Sequence, residues 1–395
     1  MKCYLMNKNT IVLTINFNSS FNVIDDILQI NNIDYAPLSI YNAYNSKSES
    51  ILKVTNSWFK GRGIPSWRKD LKKLLERLNV SSSEELLNKA YGLSLSDQYW
   101  LKAVDDNISW DDINFFNNDF EYEAYLEASL DFSSSHKQLD PSVLKSPNNT
   151  TDGMLQKGWI IEGDKRKLIK GTYSFSREEP FNEWLASNIC KRLGFDYCEY
   201  QIEFNEKTKF ISKCDCFINE NEEIISAYDI FKTKVKPNGI SDYEFYISIL
   251  EEHGVPNARI DVENMFILDY LIVNSDRHMK NFGIIRDVNS LKWLKVTPIF
   301  DSGESMRCDK YTDEINFNRC YGKFFSSPNK NYEDILKTLK DGIKRIDINK
   351  LDGLVNEYKN ILITYQSRLD ISDTRINKLV DGLNIRINKL GHHIK

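Results

Sequence analysis

The sequence lacks CxxC pairs, and no stretch of it approaches the roughly 20 consecutive apolar residues that a membrane-spanning helix needs. Its seven cysteines are scattered. Cys214 and Cys216 are expected to alternate along one strand and to point to opposite faces, so the spacing does not favour a zinc site. Reduced thiols are the better interpretation. The amino terminus has no apolar run of signal-peptide length, and these absences together predict a soluble cytoplasmic protein without a membrane segment.

The sequence also lacks an excess of positive charge. Its formal net charge is −5, which gives no global basic bias, and we expect no direct nucleic-acid binding. Hydrophobic residues make up 41% of the chain and charged residues 28%, as in ordinary globular proteins. With 395 residues and no internal repeat, the chain is long enough for about two or three domains.

The most informative segment is 274–281, which reads Asn-Ser-Asp-Arg-His-Met-Lys-Asn. Asp276 and Asn281 stand five residues apart, and Asp301 follows on a separate apolar run. ATP-dependent phosphoryl transfer needs one carboxylate to accept the substrate hydroxyl proton, and an Asn and an Asp to hold Mg²⁺ against the phosphates. We therefore predict that Asp276 is the catalytic carboxylate and that Asn281 and Asp301 are the magnesium ligands.

Each of these residues also has a simpler interpretation. Asp276 alone would be an ordinary turn residue, and Asp301 begins an Asp-Ser-Gly sequence that is common in loops. The coincidence of the three oxygen ligands favours catalysis. His278 is expected to orient the catalytic loop through a hydrogen bond, since no partner histidine lies nearby in the sequence. Lys280 either neutralises the transferring phosphate or is simply solvated.

The ATP phosphates also need a cation from the region upstream. Lys170, at the end of a predicted strand, is the best candidate, and Glu183 on the following helix would be the partner that fixes it. Glu178 and Glu179 are weaker candidates for that partner. Lys167 lies on the same strand and, by alternation, points to the opposite face. The simpler alternative for Lys170 is a surface charge on a strand edge.

A phosphate-covering loop should precede this lysine, and residues 150–158 lie in the right position. They contain Gly153 and Gly158 but lack the GxGxxG pattern, so the signal is weak on its own. Backbone amides of the segment could still bind phosphates. The polar stretch 133–153 is predicted to be a flexible loop.

The order of predicted elements between 133 and 217 is a β-hairpin, a helix and further strands. Their bounds are Trp159–Lys170 for the hairpin, Pro180–Gly194 for the helix, and Tyr197–Phe204 and Lys209–Phe217 for the strands. This is the order of a kinase small lobe, and from about residue 226 the pattern is mainly helical. We predict an α+β, two-lobed protein-kinase-like fold with a β-rich small lobe and a helical large lobe. The predicted units are an N-terminal accessory α/β region (1–130), the small lobe (131–220) and the large lobe (221–395).

Together these residues resemble the HipA family of serine/threonine kinases. The family's catalytic loop reads Asn-x-Asp-x-His-x-Lys-Asn, and residues 274–281 match it at every fixed position. The Pro-Ile-Phe-Asp sequence at 298–301 is similar to the family's Pro-Ile-Tyr-Asp metal motif. The resemblance covers about 140–310 and extends weakly upstream through 92–100.

The resemblance implies ATP and Mg²⁺ as cofactors, Asp276 as the catalytic base, and Asn281 and Asp301 as metal ligands. It also implies a hinge at 213–217, which contains Cys214 and Cys216, whose backbone holds adenine.

Family members act as toxins beside a small DNA-binding antitoxin, several phosphorylate proteins, and some autophosphorylate a serine in the phosphate loop. The resemblance therefore implies a protein substrate, an antitoxin partner, and autophosphorylation on Ser146, Thr150 or Thr151. The first 130 residues or so do not obviously match the family's usual N-terminal subdomain.

Two other functions were compatible with parts of this pattern. Small-molecule phosphotransferases related to aminoglycoside or choline kinases also have Asp and Asn five apart, but usually carry a His two residues before the Asp. Here His278 follows Asp276, which favours the HipA resemblance. A non-catalytic pseudokinase would bind ATP without turnover, and the presence of Asp276, Asn281, Asp301 and Lys170 together argues against it.

Overall fold

The computed structural model describes most of the chain. The described residues are 1–47, 49–68, 71–123, 125–126, 144–151, 153, 156–206 and 209–394. Most of the predicted flexible loop at 133–153 lies outside them, and so do three residues of the predicted phosphate loop, at 152 and 154–155. No described helix is long and apolar enough to cross a bilayer.

The described strands and helices are mixed along the chain, which confirms the predicted combination of α and β structure. The strands are β1 (Lys2–Asn7), β2 (Thr10–Asn18), β3 (Val23–Ile30), β4 (Tyr99–Ala103), β5 (Lys157–Glu162), β6 (Lys165–Lys170), β7 (Gln201–Asn205), β8 (Lys209–Asp215), β9 (Glu222–Ser226), β10 (Gly283–Asp287), β11 (Trp293–Val296), β12 (Tyr321–Phe324) and β13 (Ser327–Asn331). The α-helices are α1 (Leu38–Ser46), α2 (Ile51–Lys60), α3 (Leu71–Leu78), α4 (Ser83–Lys89), α5 (Trp110–Ile113), α6 (Glu179–Leu193), α7 (Ala227–Phe231), α8 (Asp242–Glu252), α9 (Ala258–Ile272), α10 (Tyr332–Thr338), α11 (Leu354–Leu369) and α12 (Asp373–Ile394).

The N-terminal region is built on an antiparallel sheet with the strand order β3-β2-β1-β4. Leu13, Ile15 and Phe17 alternate along β2 and enter a buried apolar cluster that also contains Ile40 of α1 and Phe59 of α2. Burial of this face stabilises the sheet because each fully buried aliphatic or aromatic side chain contributes about 1.5–3 kcal/mol. The region also contacts later parts of the chain: Gln98 donates to the carbonyl oxygen of Glu222 at 2.5 Å.

The second sheet carries the first predicted site residues. Its order is β5-β6-β8-β7, with every pair antiparallel, so the predicted hairpin and the two following strands are confirmed. Helix α6 packs on this sheet, where the ring centroids of Phe181 and Phe210 are 5.0 Å apart. The helix ends at Gly194, which has a φ of 77°, as the sequence predicts for a glycine C-cap.

Helices α6, α8, α10 and α12 pack against α9, and 11 of the 15 residues of α9 are buried. Val273 follows α9 with a φ of 53°, a left-handed conformation that is rare for a β-branched residue. This conformation ends the helix and turns the chain into the 274–281 segment. Strands β10 and β11 follow that segment and pair with the earlier β9 in a small sheet of the order β11-β10-β9. Asp301 lies five residues after the end of β11.

Candidate active site

The 274–281 loop is held by a buried ion pair that the sequence analysis did not identify. The Arg277 guanidinium donates to both carboxylate oxygens of Asp269, on α9, at 2.9 and 3.0 Å. It also donates to the carbonyl oxygens of Asn281, at 2.9 Å, and Phe300, at 2.6 Å. Asn274 donates to Asp269 at 2.8 Å. One buried arginine thus brings Phe300, the residue before Asp301, against the loop.

We expect Arg277→Met to destabilise the protein by about 3–5 kcal/mol, because Asp269 would remain buried without its partner. Arg192→Met is the matched control, since Arg192 pairs with Glu357 at 2.8 Å on the surface, where such pairs contribute about 0–1 kcal/mol. Denaturant unfolding of the two variants would measure the difference. Equal losses in both would contradict a special role for the buried pair.

Asp276 lies on this loop with its side chain partly exposed. Its Oδ1 accepts a short hydrogen bond from Lys323, on β12. His278 Nε2 is 3.8 Å from the other carboxylate oxygen. The His278 Nδ1 accepts a hydrogen bond at 3.2 Å from the backbone N–H of Lys280. The Lys280 side chain is exposed.

The structure brings the buried Lys170 and Glu183 together with the half-buried Asp301 in one cluster. Lys170 Nζ is 2.9 Å from Glu183 Oε1 and 2.7 Å from Asp301 Oδ1, and it donates to the Tyr200 hydroxyl at 3.0 Å. The second oxygen of Glu183 accepts the backbone N–H of Ser302 at 3.0 Å. The predicted Lys170–Glu183 pair is therefore present, and the sequence did not foresee that Asp301 would join it.

The other candidate partners of Lys170 have different contacts. Glu178 forms a bidentate pair with Arg375 at 2.5 and 2.8 Å. Glu179 accepts the backbone N–H of Tyr173 at 2.9 Å. Lys167 is directed to Glu162, at 2.5 Å, on the other side of the sheet, as alternation predicts.

Burial and neighbouring charges shift the pKa values of Lys170 and Asp301 in opposite directions. Burial opposes the charged form of Lys170, but the carboxylates of Asp301 and Glu183 outweigh it and raise the lysine pKa. Burial likewise opposes ionisation of Asp301, but Lys170, Lys157 and Arg277 lower its pKa below the usual range. Both shifts stabilise the folded state with the pair ionised. That stability is fully present between the ordinary pKa values of Asp and Lys, about 3.9 and 10.4, and is lost outside them.

A cavity of about 210 Å³ adjoins this cluster. Lys170 and Asp301 lie at its polar end, and Trp159, Leu168 and Phe300 contribute apolar walls. The predicted hinge segment also lines this cavity.

Cys214 and Cys216 both line the cavity, so the expectation that they face opposite sides is wrong. The reason is that residues two apart on an extended strand lie on the same face, and only successive residues point to opposite faces. A hydrogen bond from the Cys198 thiol, together with the charge of Lys170, lowers the pKa of the Cys214 thiol despite its burial.

The predicted phosphate loop is shorter than the sequence indicated. Gly158 lies within β5, paired with Ile169, so its assignment to a loop is wrong. A Cβ there would come within 2.8 Å of Leu126, so this glycine permits close packing. Gly153 has a φ of 96°, which favours glycine, and its carbonyl oxygen accepts a hydrogen bond from Arg68 at 3.2 Å.

The three predicted modification candidates differ in exposure. Ser146 is fully buried, and its hydroxyl accepts the backbone N–H of Asn148 at 3.3 Å. Thr151 is buried and accepts a hydrogen bond from Arg68 at 2.9 Å. Thr150 is half-buried and lines the cavity. Thr150 is thus the most accessible of the three hydroxyls.

A family model described as the HipA-like C-terminal domain matches residues 149–347, half of the chain. The chain belongs to this family. The matched part of this HipA-like protein contains Lys170, Glu183, the 274–281 loop and Asp301.

Individual relatives of this HipA-like chain are more distant. The serine/threonine-protein kinase CtkA of Helicobacter pylori strain J99 is 25% identical over 243 residues, which cover 53% of this chain and 74% of CtkA. The crystal structure of the H. pylori proinflammatory kinase CtkA has a TM-score of 0.47 and 17% identity, and covers 60% of this chain and 90% of that one. A chain from the Shewanella oneidensis MR-1 HipA, HipB and operator DNA complex has a TM-score of 0.53 and 14% identity, with 99% of both chains covered. The fold similarity therefore extends into the N-terminal region, where the sequence showed no obvious match.

Proposed function

We propose that this HipA-like chain is an ATP- and Mg²⁺-dependent serine/threonine protein kinase with a two-lobed arrangement. The proposed units are a small lobe at 131–220, a large lobe at 221–395 and an accessory region at 1–130. The observation that carries the proposal is the Lys170–Glu183–Asp301 cluster. Its position beside both the cavity and the 274–281 loop, together with the relationship to a serine/threonine kinase, supports phosphoryl transfer.

The residues present fit a magnesium ion. The Asn281 amide nitrogen donates to the carbonyl oxygen of Asp276 at 3.1 Å, which leaves the side-chain oxygen of Asn281 available as a ligand. Lys170 contacts only one oxygen of Asp301. A neutral and an anionic oxygen suit Mg²⁺, which usually takes one or two protein carboxylates and completes its shell with phosphates and water. We assign Asn281 and Asp301 to this role.

We assign ATP a defined direction in the cavity. The segment 213–217 would hold the base at the apolar end, and Lys170 would contact the phosphates at the polar end. Bound Mg·ATP supplies the phosphoryl group and the neutralising charge. Backbone amides near Gly153 would cover the phosphates.

Within this arrangement Asp276 orients the substrate hydroxyl and accepts its proton late in the transfer. In the absence of substrate its carboxylate is held by Lys323. His278 keeps the loop in shape, and Lys280 contributes positive charge beside the acceptor.

We expect Asp301→Asn to abolish Mg²⁺-dependent turnover while ATP binding is partly kept. The substitution removes the anionic ligand but leaves Lys170 and Glu183 paired. A Mg²⁺ titration of phosphoryl transfer, with a separate measurement of ATP affinity, would test this. Turnover equal to that of the unmodified protein would rule out the metal assignment.

We expect Mg·ATP-dependent autophosphorylation on Thr150 rather than on Ser146 or Thr151. Thr150 alone among them is half-buried, whereas the side chains of Ser146 and Thr151 are buried. Phosphopeptide mapping after incubation with Mg·ATP would locate the phosphate, with Thr150→Val as the matched variant. Phosphate between residues 140 and 155 on Ser146 or Thr151, or none there at all, would contradict this expectation.

The names of the relatives suggest two partners for this chain, which we propose. We propose a protein substrate, since CtkA is named as a serine/threonine-protein kinase. We also propose a small DNA-binding antitoxin, because the structural relative of full length was solved with HipB and operator DNA. Co-purification of this chain with the product of a neighbouring gene would test that pairing.

A further inference from the structure

A wide cleft lies between the N-terminal helices and the 274–281 loop. Its volume is about 820 Å³. Helices α1 and α2 form one wall, and α7 with the Lys280 side chain forms the other. The two walls approach each other where Asn42 Nδ2 lies 3.5 Å from the carbonyl oxygen of Asp229. The cleft is therefore enclosed by the accessory region on one side and by the candidate catalytic machinery on the other.

The cleft adjoins the candidate nucleotide cavity. Ser94, Ser96 and Thr150 line both spaces. Lys280, which lines the cleft, directly precedes Asn281, a candidate magnesium ligand. These three shared residues separate the cleft from the cavity. A molecule in the cleft therefore lies next to the catalytic loop.

Most of the residues that line the cleft are polar, and Ala43, Val54 and Trp58 add apolar surface to its N-terminal wall. Hydroxyl and amide side chains line the N-terminal wall; they are Ser39, Asn42, Ser46 and Ser57. Small-molecule sites are lined mainly by apolar and aromatic side chains, with only a few polar groups. An extended polypeptide presents a backbone donor and acceptor at each residue, and it matches a wall of this kind better.

Most of the charged residues on the N-terminal side of the cleft are already paired. Arg62 forms a bidentate pair with Asp97 at 2.7 and 2.9 Å. Lys53 is 3.7 Å from Glu49. These two pairs leave the N-terminal side of the cleft without a surplus of positive or negative charge.

The opposite wall carries a surplus of positive charge. Lys232 and Lys280 form no ion pair within the described part of the chain, and Lys232 lies over the Tyr228 ring at 4.1 Å. The one carboxylate beside them on this wall, Asp229, receives a short hydrogen bond of 2.7 Å from the Ser226 hydroxyl. Two lysines thus face one carboxylate at the end of the cleft nearest Asn281.

We propose that this cleft binds an acidic, serine- or threonine-containing segment of the protein substrate, with its carboxylates beside Lys232 and Lys280. The proposal rests on the kinase function above and adds the substrate class. It also gives the accessory region a part in substrate choice, because α1 and α2 form half of the binding surface.

The test is the affinity of short fluorescein-labelled peptides, measured by anisotropy. One peptide has a central serine flanked by glutamates, and the matched peptide has lysines in their place. The protein carries Asp276→Asn to prevent turnover and is mixed with Mg²⁺ and a non-hydrolysable ATP analogue. We expect the glutamate peptide to bind more tightly, and Lys232→Glu to weaken it by roughly three- to tenfold, as expected for partly exposed charge pairs.

Lys344→Glu is the control, because Lys344 is an exposed lysine that does not line the cleft. It should leave both affinities unchanged, whereas Lys232→Glu should also strengthen binding of the lysine peptide. Equal binding of the two peptides, or equal effects of the two lysine variants, would overturn the proposal. Tighter binding of a labelled oligonucleotide than of either peptide would overturn it as well.

ATP binding in the same samples separates this inference from the proposed function. If a fluorescent ATP analogue binds in a Lys170-dependent way but the peptides are not distinguished, only the cleft assignment fails. If the glutamate peptide is preferred through Lys232 but ATP does not bind, the acidic-segment site stands and the kinase proposal fails.

Discussion

Asp276→Asn should lower the rate of phosphoryl transfer by about 100- to 10,000-fold, the range that a positioned general base contributes. Asparagine keeps the size of the side chain but cannot accept the substrate proton. ATP affinity should stay close to that of the unmodified protein, because Asp276 does not line the nucleotide cavity. The measurement is the turnover rate at saturating ATP, with ATP affinity determined separately.

Asp313→Asn is the matched control for Asp276→Asn. The Asp313 side chain is exposed and forms no ion pair or side-chain hydrogen bond among the described residues. This control should leave the turnover rate unchanged. Because the Asp276 carboxylate is held by Lys323, the Asn variant also removes an ion pair. That pair is partly exposed and should contribute less than about 1 kcal/mol, so unfolding should hardly change. Full turnover in Asp276→Asn would contradict the assigned role.

Lys170→Met should affect both stability and nucleotide binding. It would remove the cation that lies between the Glu183 and Asp301 carboxylates, and we expect a loss of about 3–5 kcal/mol in the free energy of unfolding. A hydrogen bond to a charged group contributes about 1.5–3 kcal/mol, so ATP affinity should fall by roughly 10- to 100-fold. Denaturant unfolding and a direct ATP-binding titration would measure the two effects.

Lys167→Met is the control, because Lys167 lies on the same strand and pairs with Glu162 on the other face. It should leave ATP affinity unchanged. The double variant Lys170→Met/Asp301→Asn should be more stable than Lys170→Met alone, since one of the two uncompensated carboxylates has been removed. A double variant less stable than the single one would contradict the electrostatic account of the cluster.

Local patterns made part of the site predictable. The end of β6 and the first turns of α6 are close in sequence, and strand alternation with helical spacing was enough to pair Lys170 with Glu183. The role of the 274–281 segment could be predicted because its residue types and spacing are typical of phosphoryl transfer.

Contacts between distant parts of the chain were not predictable. Lys170 and Asp301 are 131 residues apart, and Lys323 and Asp276 are 47 apart, so no local pattern connects them. Arg277 lay inside the motif, but nothing in its neighbourhood indicated that it would be buried against Asp269. Gly158 was assigned to a loop because a glycine at a strand start looks the same in sequence as a loop glycine.

The pairing of strands in the N-terminal sheet was also not predictable from local patterns in the sequence. Its strand order, β3-β2-β1-β4, places β4 beside β1 although four helices lie between β3 and β4 in the chain. The placement of α1 and α2 beside Lys280 could be seen only in the folded chain. The inferred substrate cleft depends on that placement.

The most direct test of the central claim compares transfer of label from two forms of ATP, one labelled at the γ-phosphate and one at the α-phosphate. The account predicts that γ-label appears on protein serine or threonine, that α-label does not, and that Asp276→Asn removes the γ-signal. Transfer of α-label would instead indicate nucleotidyl transfer. Absence of γ-label from every protein acceptor, with ATP bound, would contradict the account.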